Sequence, residues 1–165
     1  MTLFNQQNKP AFPGEYRVCQ TGVVGASTSG VVTSGLDVIF DLSSDLELNN
    51  APTDMQVISA GVKMLRPGFL EVSGGARFYG SASRYEGAPV ITLDGVPITT
   101  IDFNTIYHIV AAGSPAGARQ AASVPPLNIV VKRDQVVGLQ IRRAVGNTTT
   151  GTHSIADAIL RVRLL

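Results

Sequence analysis

Cysteine is nearly missing: Cys19 is the only one in 165 residues, so no disulfide can close within the chain. Histidine is almost as scarce, at His108 and His153. Together with Cys19 these are too few soft ligands for a structural zinc site. Charge is thin as well. Asp, Glu, Lys and Arg make up 15% of the chain, against about 25% in an average globular domain. With 13 basic and 12 acidic residues the net charge is +1. A protein that coats nucleic acid carries a basic excess, so this balance argues against nucleic acid as a partner. No stretch reaches the roughly 18 consecutive apolar residues of a membrane-spanning helix. Met1 to Pro13 lacks the basic-then-apolar order of a secretory signal and is interrupted by Pro10 and Pro13. The expectation is a protein neither inserted in a membrane nor exported by an N-terminal signal.

What is present is apolar, turn-rich and periodic. Hydrophobic residues are 44% of the chain, with 17 Gly and 9 Pro, enough for a core divided among short strands. Leu36, Val38, Phe40 and Leu42 alternate with Asp37, Ile39 and Asp41, a period of two that predicts a strand. Gln56 to Met64 is a second apolar run, ended by Arg66-Pro67-Gly68. From Phe69 to Gly80 the alternation places Leu70, Val72, Gly74, Ala76 and Phe78 on one face. Phe69, Glu71, Ser73, Gly75, Arg77 and Tyr79 fall on the other. Asp94-Gly95 is the strongest hairpin signal. Further strands are predicted at 105–112, 127–132, 136–143 and 155–165, where Leu160, Val162 and Leu164 alternate with Arg161, Arg163 and Leu165. No amphipathic helix survives: the candidate over 46–65 is broken by Pro52. The expected fold class is all-β, a two-sheet sandwich over residues 36–165.

Residues 1–35 have a different texture. Phe4, Phe12 and Tyr16 stand as isolated anchors in a polar, proline-containing stretch, and 22–35 is Gly, Ser, Thr and Val. Such a segment builds no core of its own, so it is expected to be an extended N-terminal arm that orders on a partner.

The order of signals resembles the TNF/C1q-like jelly rolls. Arg66-Pro67-Gly68-Phe69-Leu70-Glu71-Val72-Ser73 looks like their Pro-Gly-aromatic-x-x-Val-Ser strand. It is followed by Ile91-Thr92-Leu93-Asp94-Gly95, by Lys132-Arg133-Asp134-Gln135 before the strand Val136-Val137-Gly138-Leu139-Gln140-Ile141, and by the closing strand 158–164. The resemblance covers about residues 55–165. It implies a two-sheet jelly roll that assembles as a homotrimer and serves in binding or scaffolding, not catalysis. It also implies that the strand 69–80 and the last strand are neighbours in the sheet facing the threefold axis. Glu71, Ser73, Arg77 and Tyr79 would there meet Arg161 and Arg163 of the same or an adjacent subunit. A collagen-like stalk, expected of C1q or spore proteins, is not seen in 1–35, and neither is a cytokine's anchor or signal. The resemblance therefore points to a virion protein made in the host cytoplasm. It would be a bacteriophage capsid decoration (cement) protein that binds the major capsid protein through its arm at Phe4, Phe12 and Tyr16. A receptor- or glycan-binding fibre tip is the alternative.

The residues that could carry chemistry do not assemble into a constellation. His108 sits mid-strand and His153 in a Thr-rich turn, with no positioned nucleophile. Cys19 has no C-x-x-C partner. Asp37, Asp41, Asp45, Glu47 and Asp54 form an acidic region without calcium-loop spacing; a solvated edge or a partner for arginines is the simpler reading. No catalytic residue, cofactor or metal is expected. Charge is unevenly spread, with six basic and ten acidic residues in 1–118 and seven basic and two acidic in 119–165. The C-terminal arginines are thus matched in sign to the N-terminal half.

Overall fold

Strands form wherever alternation or a β-branched run meets a partner that can complete its hydrogen-bond ladder. The computed structural model describes residues 17–31, 35–40, 48–80, 86–98, 108–109, 120–143 and 152–165. The strands are β1 (Arg17–Val31), β2 (Gly35–Asp37), β3 (Leu48–Asn49), β4 (Met55–Ile58), β5 (Gly61–Met64) and β6 (Gly68–Gly80). They continue with β7 (Glu86–Leu93), β8 (Val96–Pro97), β9 (His108–Ile109), β10 (Gln120–Val131), β11 (Val136–Arg143) and β12 (Thr152–Leu164). One sheet runs β10-β6-β12-β1-β3. The other runs β4-β5-β11-β7-β8, with β2 added on β11 and β9 on β7. All pairings are antiparallel.

The core lies between the sheets. Leu70 and Val72 of β6 and Leu160 and Val162 of β12 face Ile91 of β7 and Leu139 and Ile141 of β11, all fully buried. The inward face expected for β6 is the observed one, down to Gly74. A Cβ there would lie 3.2 Å from Leu139 Cδ1 and 3.4 Å from Ile91 Cδ1. The missing side chain is what lets the opposite sheet come this close. At the expected Asp94-Gly95 turn, φ is +52° and +77°, the two left-handed residues of a type I′ hairpin joining β7 to β8.

One expectation needs correction. The arm does not extend to residue 35: Arg17–Val31 is β1, hydrogen-bonded between β12 and β3. Cys19 of β1 is fully buried in the core. Its many small residues hide this strand, because they become a strand by ladder pairing with β12, more than a hundred residues away in sequence. The apolar run 56–64 folds as two strands, β4 and β5, reversed at Ser59-Ala60. Residues 1–16, with Phe4, Phe12 and Tyr16, lie outside the described residues.

One end of the sandwich is fastened by a buried charge. Asp54, 4% exposed, accepts from Arg17 Nη1 at 3.1 Å and pairs with Arg66 Nε at 2.7 Å. Arg17 opens β1 in one sheet and Arg66 follows β5 in the other, so one carboxylate ties the two sheets together. Asp54→Asn keeps the shape and removes the charge. Because both arginines are partly exposed and can rehydrate, a loss of about 2 kcal/mol is expected. A urea titration measures it; a change under about 0.5 kcal/mol would assign the clamp no role in folding.

Candidate interaction face

Directly paired residues of an antiparallel ladder share a face, so the register of β10, β6, β12 and β1 writes out the outer face of the five-stranded sheet. Phe69 pairs with Val130, and Leu165 donates its N–H to the Phe69 carbonyl at 2.9 Å. In the next row Asn128, Glu71, Arg163 and Val18 stand side by side, followed by Ser73, Arg161, Gln20 and Leu48. Beyond them come Gly75 and Ile159, then Arg77 and Asp157.

The charges on this face are largely settled within the chain. Arg163 Nη1 lies 3.4 Å from Glu71 Oε1, and Arg77 pairs with Asp157. Arg161, exposed between Ser73 and Gln20, has no carboxylate partner among the described residues. Beside these pairs the face carries exposed apolar side chains. Val130 is 75% exposed, Leu165 52%, Phe69 47% and Ile159 42%, and the first three form a contiguous row at one corner. Apolar side chains grouped this way on a sheet face, rimmed by polar ones, mark a surface that a partner covers.

The open edge of the same sheet is protected. β10 carries Pro125-Pro126 at the irregularity between Val124 and Leu127. Proline has no N–H to offer an incoming strand and is confined to sheet edges and bulges. Association through the face is therefore favoured over association through this edge.

Five of the six residues expected at a subunit interface are brought together here: Glu71, Ser73, Arg77, Arg161 and Arg163. Tyr79 stands opposite Ser154 in the ladder, and its side chain lies outside the described residues. The apolar row was not among the expected interface residues. Phe69 had a signal, an aromatic on the polar face of its strand, whereas Val130 joins it only through the register of β10 on β6. In the acidic region, Asp37 accepts from Gln140 and Asp54 is the buried clamp; Asp41, Asp45 and Glu47 lie outside the described residues, as do the side chains of His108 and His153. Among the described residues, no three His, Cys, Asp or Glu converge as metal ligands, and no helix is long and apolar enough to cross a membrane.

No protein-family model and no curated sequence matches the chain. Solved structures do. The chain aligns over 91% of its length with 92% of the TNF protein Eiger of S. frugiperda, at TM-score 0.52 and 11% identity. It aligns over 92% with 98% of the globular domain of zebrafish complement 1qA, at 0.50 and 13%. The PRD1 vertex protein P5 aligns over 93% of this chain and 99% of its own, at 0.52 and 10%. The fold is a TNF/C1q-like jelly roll. The jelly roll begins at β1, upstream of the segment whose motifs resemble the family, and its alternating strands β6 and β12 are the adjacent pair that the resemblance implied. At these identities the likeness is one of architecture, carried by strand order and core pattern and not by shared site residues.

Proposed function

We propose that this protein is a non-enzymatic virion structural protein, a capsid cement (decoration) protein that acts as a homotrimer. The observation that carries the reading is the outer face of the five-stranded sheet, with its contiguous row Val130, Phe69 and Leu165. Three copies meeting through it bury that row at about 25 cal/mol per Å². The Glu71–Arg163 and Arg77–Asp157 pairs enter the interface already neutralised, which avoids the cost of an unpaired buried charge. Small Ser73 and Gly75 permit close approach. Arg161 is the cation left for a neighbouring copy or for water.

The virion assignment is supported by the likeness to a phage vertex protein. Residues 1–16, with Phe4, Phe12 and Tyr16, precede β1 and are the segment left to contact the major capsid protein. Three such segments on one trimer multiply a weak single-site affinity.

Light scattering at micromolar concentration tests the assembly. A mass three times the 17.3 kDa of the chain is expected. Glu71→Lys, which sets a third cation beside Arg161 and Arg163, should return the protein to monomer without unfolding it. A wild-type mass of one chain overturns the trimer. Antibody labelling in electron micrographs tests the location: label on particle heads supports cement, label on fibre tips establishes the alternative, and unlabelled particles overturn both.

A further inference from the structure

A groove of about 270 Å³ opens on the seven-stranded sheet. It exists because β2 and β5 share one edge of β11. Gln140 to Arg142 pair with β2, Val136 and Val137 pair with β5, and the two strands part around Gly138 and Leu139. Ile39, Ala60 and Val136 give the groove apolar walls, and Asp37 and Asp94 line it too. None of its lining residues is aromatic, so it offers no platform for stacking a sugar ring. A Cβ at Gly138 would sit 2.7 Å from Thr92 Oγ1 and 2.9 Å from the Ala60 carbonyl, crowding two of the lining residues.

The charges single this groove out. Among carboxylates with described side chains, Asp54, Glu71, Asp134 and Asp157 each hold an arginine or a lysine. Asp37 and Asp94 have no such ion pair among the described residues, and both line the groove. They are fixed by neutral donors instead. Gln140 Nε2 donates to Asp37 Oδ1 at 2.6 Å and to the Gly95 carbonyl at 3.2 Å. Gln135 Nε2 and the Val136 N–H donate to Asp94 at 2.9 and 2.8 Å. Amide donors orient a carboxylate without cancelling its charge. The result is an apolar groove edged by two positioned negative charges with no ion pair among the described residues.

We propose that this groove docks an extended segment of a partner protein in which a Lys or Arg adjoins an aliphatic residue. The aliphatic side chain seats against Ile39 and Val136. The methylene stem of the basic residue runs along the apolar wall and its head reaches Asp37 or Asp94. The groove lies on the sheet opposite the self-association face, so its occupancy neither needs nor blocks the trimer.

Selection from a displayed random-peptide library on the immobilised full chain tests the site. Peptides in which Lys or Arg stands next to Leu, Ile or Val should be enriched. A synthesised member of that set should bind about tenfold more weakly to Asp37→Asn/Asp94→Asn and lose detectable binding to Ala60→Trp, which fills the groove. Asn retains an acceptor oxygen at both positions and tolerates the positive φ at 94, and an unchanged urea midpoint confirms the fold of each variant. A selection without a basic–aliphatic pattern overturns the proposal, as does binding that is indifferent to both variants. The outcome is independent of the scattering mass: a monomer that selects such peptides removes the trimer and keeps the groove, and a trimer that selects none does the reverse.

Discussion

Gly61→Ala is expected to leave little folded protein. Gly61 has φ +137°, a backbone conformation that side chains with a Cβ rarely adopt. An added Cβ would also lie 2.1 Å from the Val137 carbonyl oxygen and 3.0 Å from the Gly138 Cα. Both neighbours are backbone atoms of β11, the strand on which β5, β7 and β2 all pair. Neither can withdraw without breaking ladder bonds at the middle of the sheet. Strain and clash add, and the loss should exceed about 4 kcal/mol, the range in which single substitutions unfold a domain. Gly95→Ala separates the two terms. Its φ is +77° and nothing lies within 4 Å of the added Cβ, so only the backbone term of about 1–2 kcal/mol remains. Soluble yield and urea midpoints of the two variants measure the difference. A Gly61→Ala protein within about 1 kcal/mol of wild type would mean that the β4–β5 turn moves freely against β11.

The parts of the fold legible in the sequence are those whose signal is local. Alternation along β6 and β12 marks their inward residues because a two-residue period needs no knowledge of the partner strand. Asp94-Gly95 marks its hairpin because the turn type dictates its residues. β1 is not legible, since its small residues and scattered valines become a strand only when β12 pairs along their length. The Ser59-Ala60 reversal escapes notice for a related reason: Ser-Ala is not among the dipeptides that mark a two-residue hairpin, and the positive φ falls on Gly61, after the two turn residues. The candidate face is half legible. Glu71, Ser73 and Arg77 follow from alternation, but their neighbours Val130 and Leu165 depend on strand order. The Asp54 clamp joins residues 37 positions apart at Arg17 and leaves no periodic trace. The two groove carboxylates come together only because β2 and the β7–β8 turn approach the same stretch of β11.

Neighbouring residues of β12 should separate folding from association. Leu160 is fully buried, paired in the ladder with Gly74 on one side and Thr21 on the other. Gly74 has no side chain with which to fill a space left beside it, and Thr21 is short, so the wall around Leu160 collapses poorly. Leu160→Ala should therefore cost about 2–5 kcal/mol, the removed methyl groups plus the cavity. Ile159 points the other way, 42% exposed on the candidate face beside Gly75. Ile159→Ala removes almost nothing from the core, and at concentrations where the chain is monomeric its cost should be under about 0.5 kcal/mol. If the face is covered by other copies, the same substitution acts on assembly. The wild-type unfolding midpoint then rises with protein concentration, because oligomerisation stabilises by mass action, and Ile159→Ala flattens that rise while Leu160→Ala lowers the midpoint at every concentration. Thermal or urea melts across a hundredfold dilution series distinguish the two patterns. A concentration-independent midpoint for wild type, with Ile159→Ala silent throughout, would leave this face to solvent and remove the physical basis for the trimer.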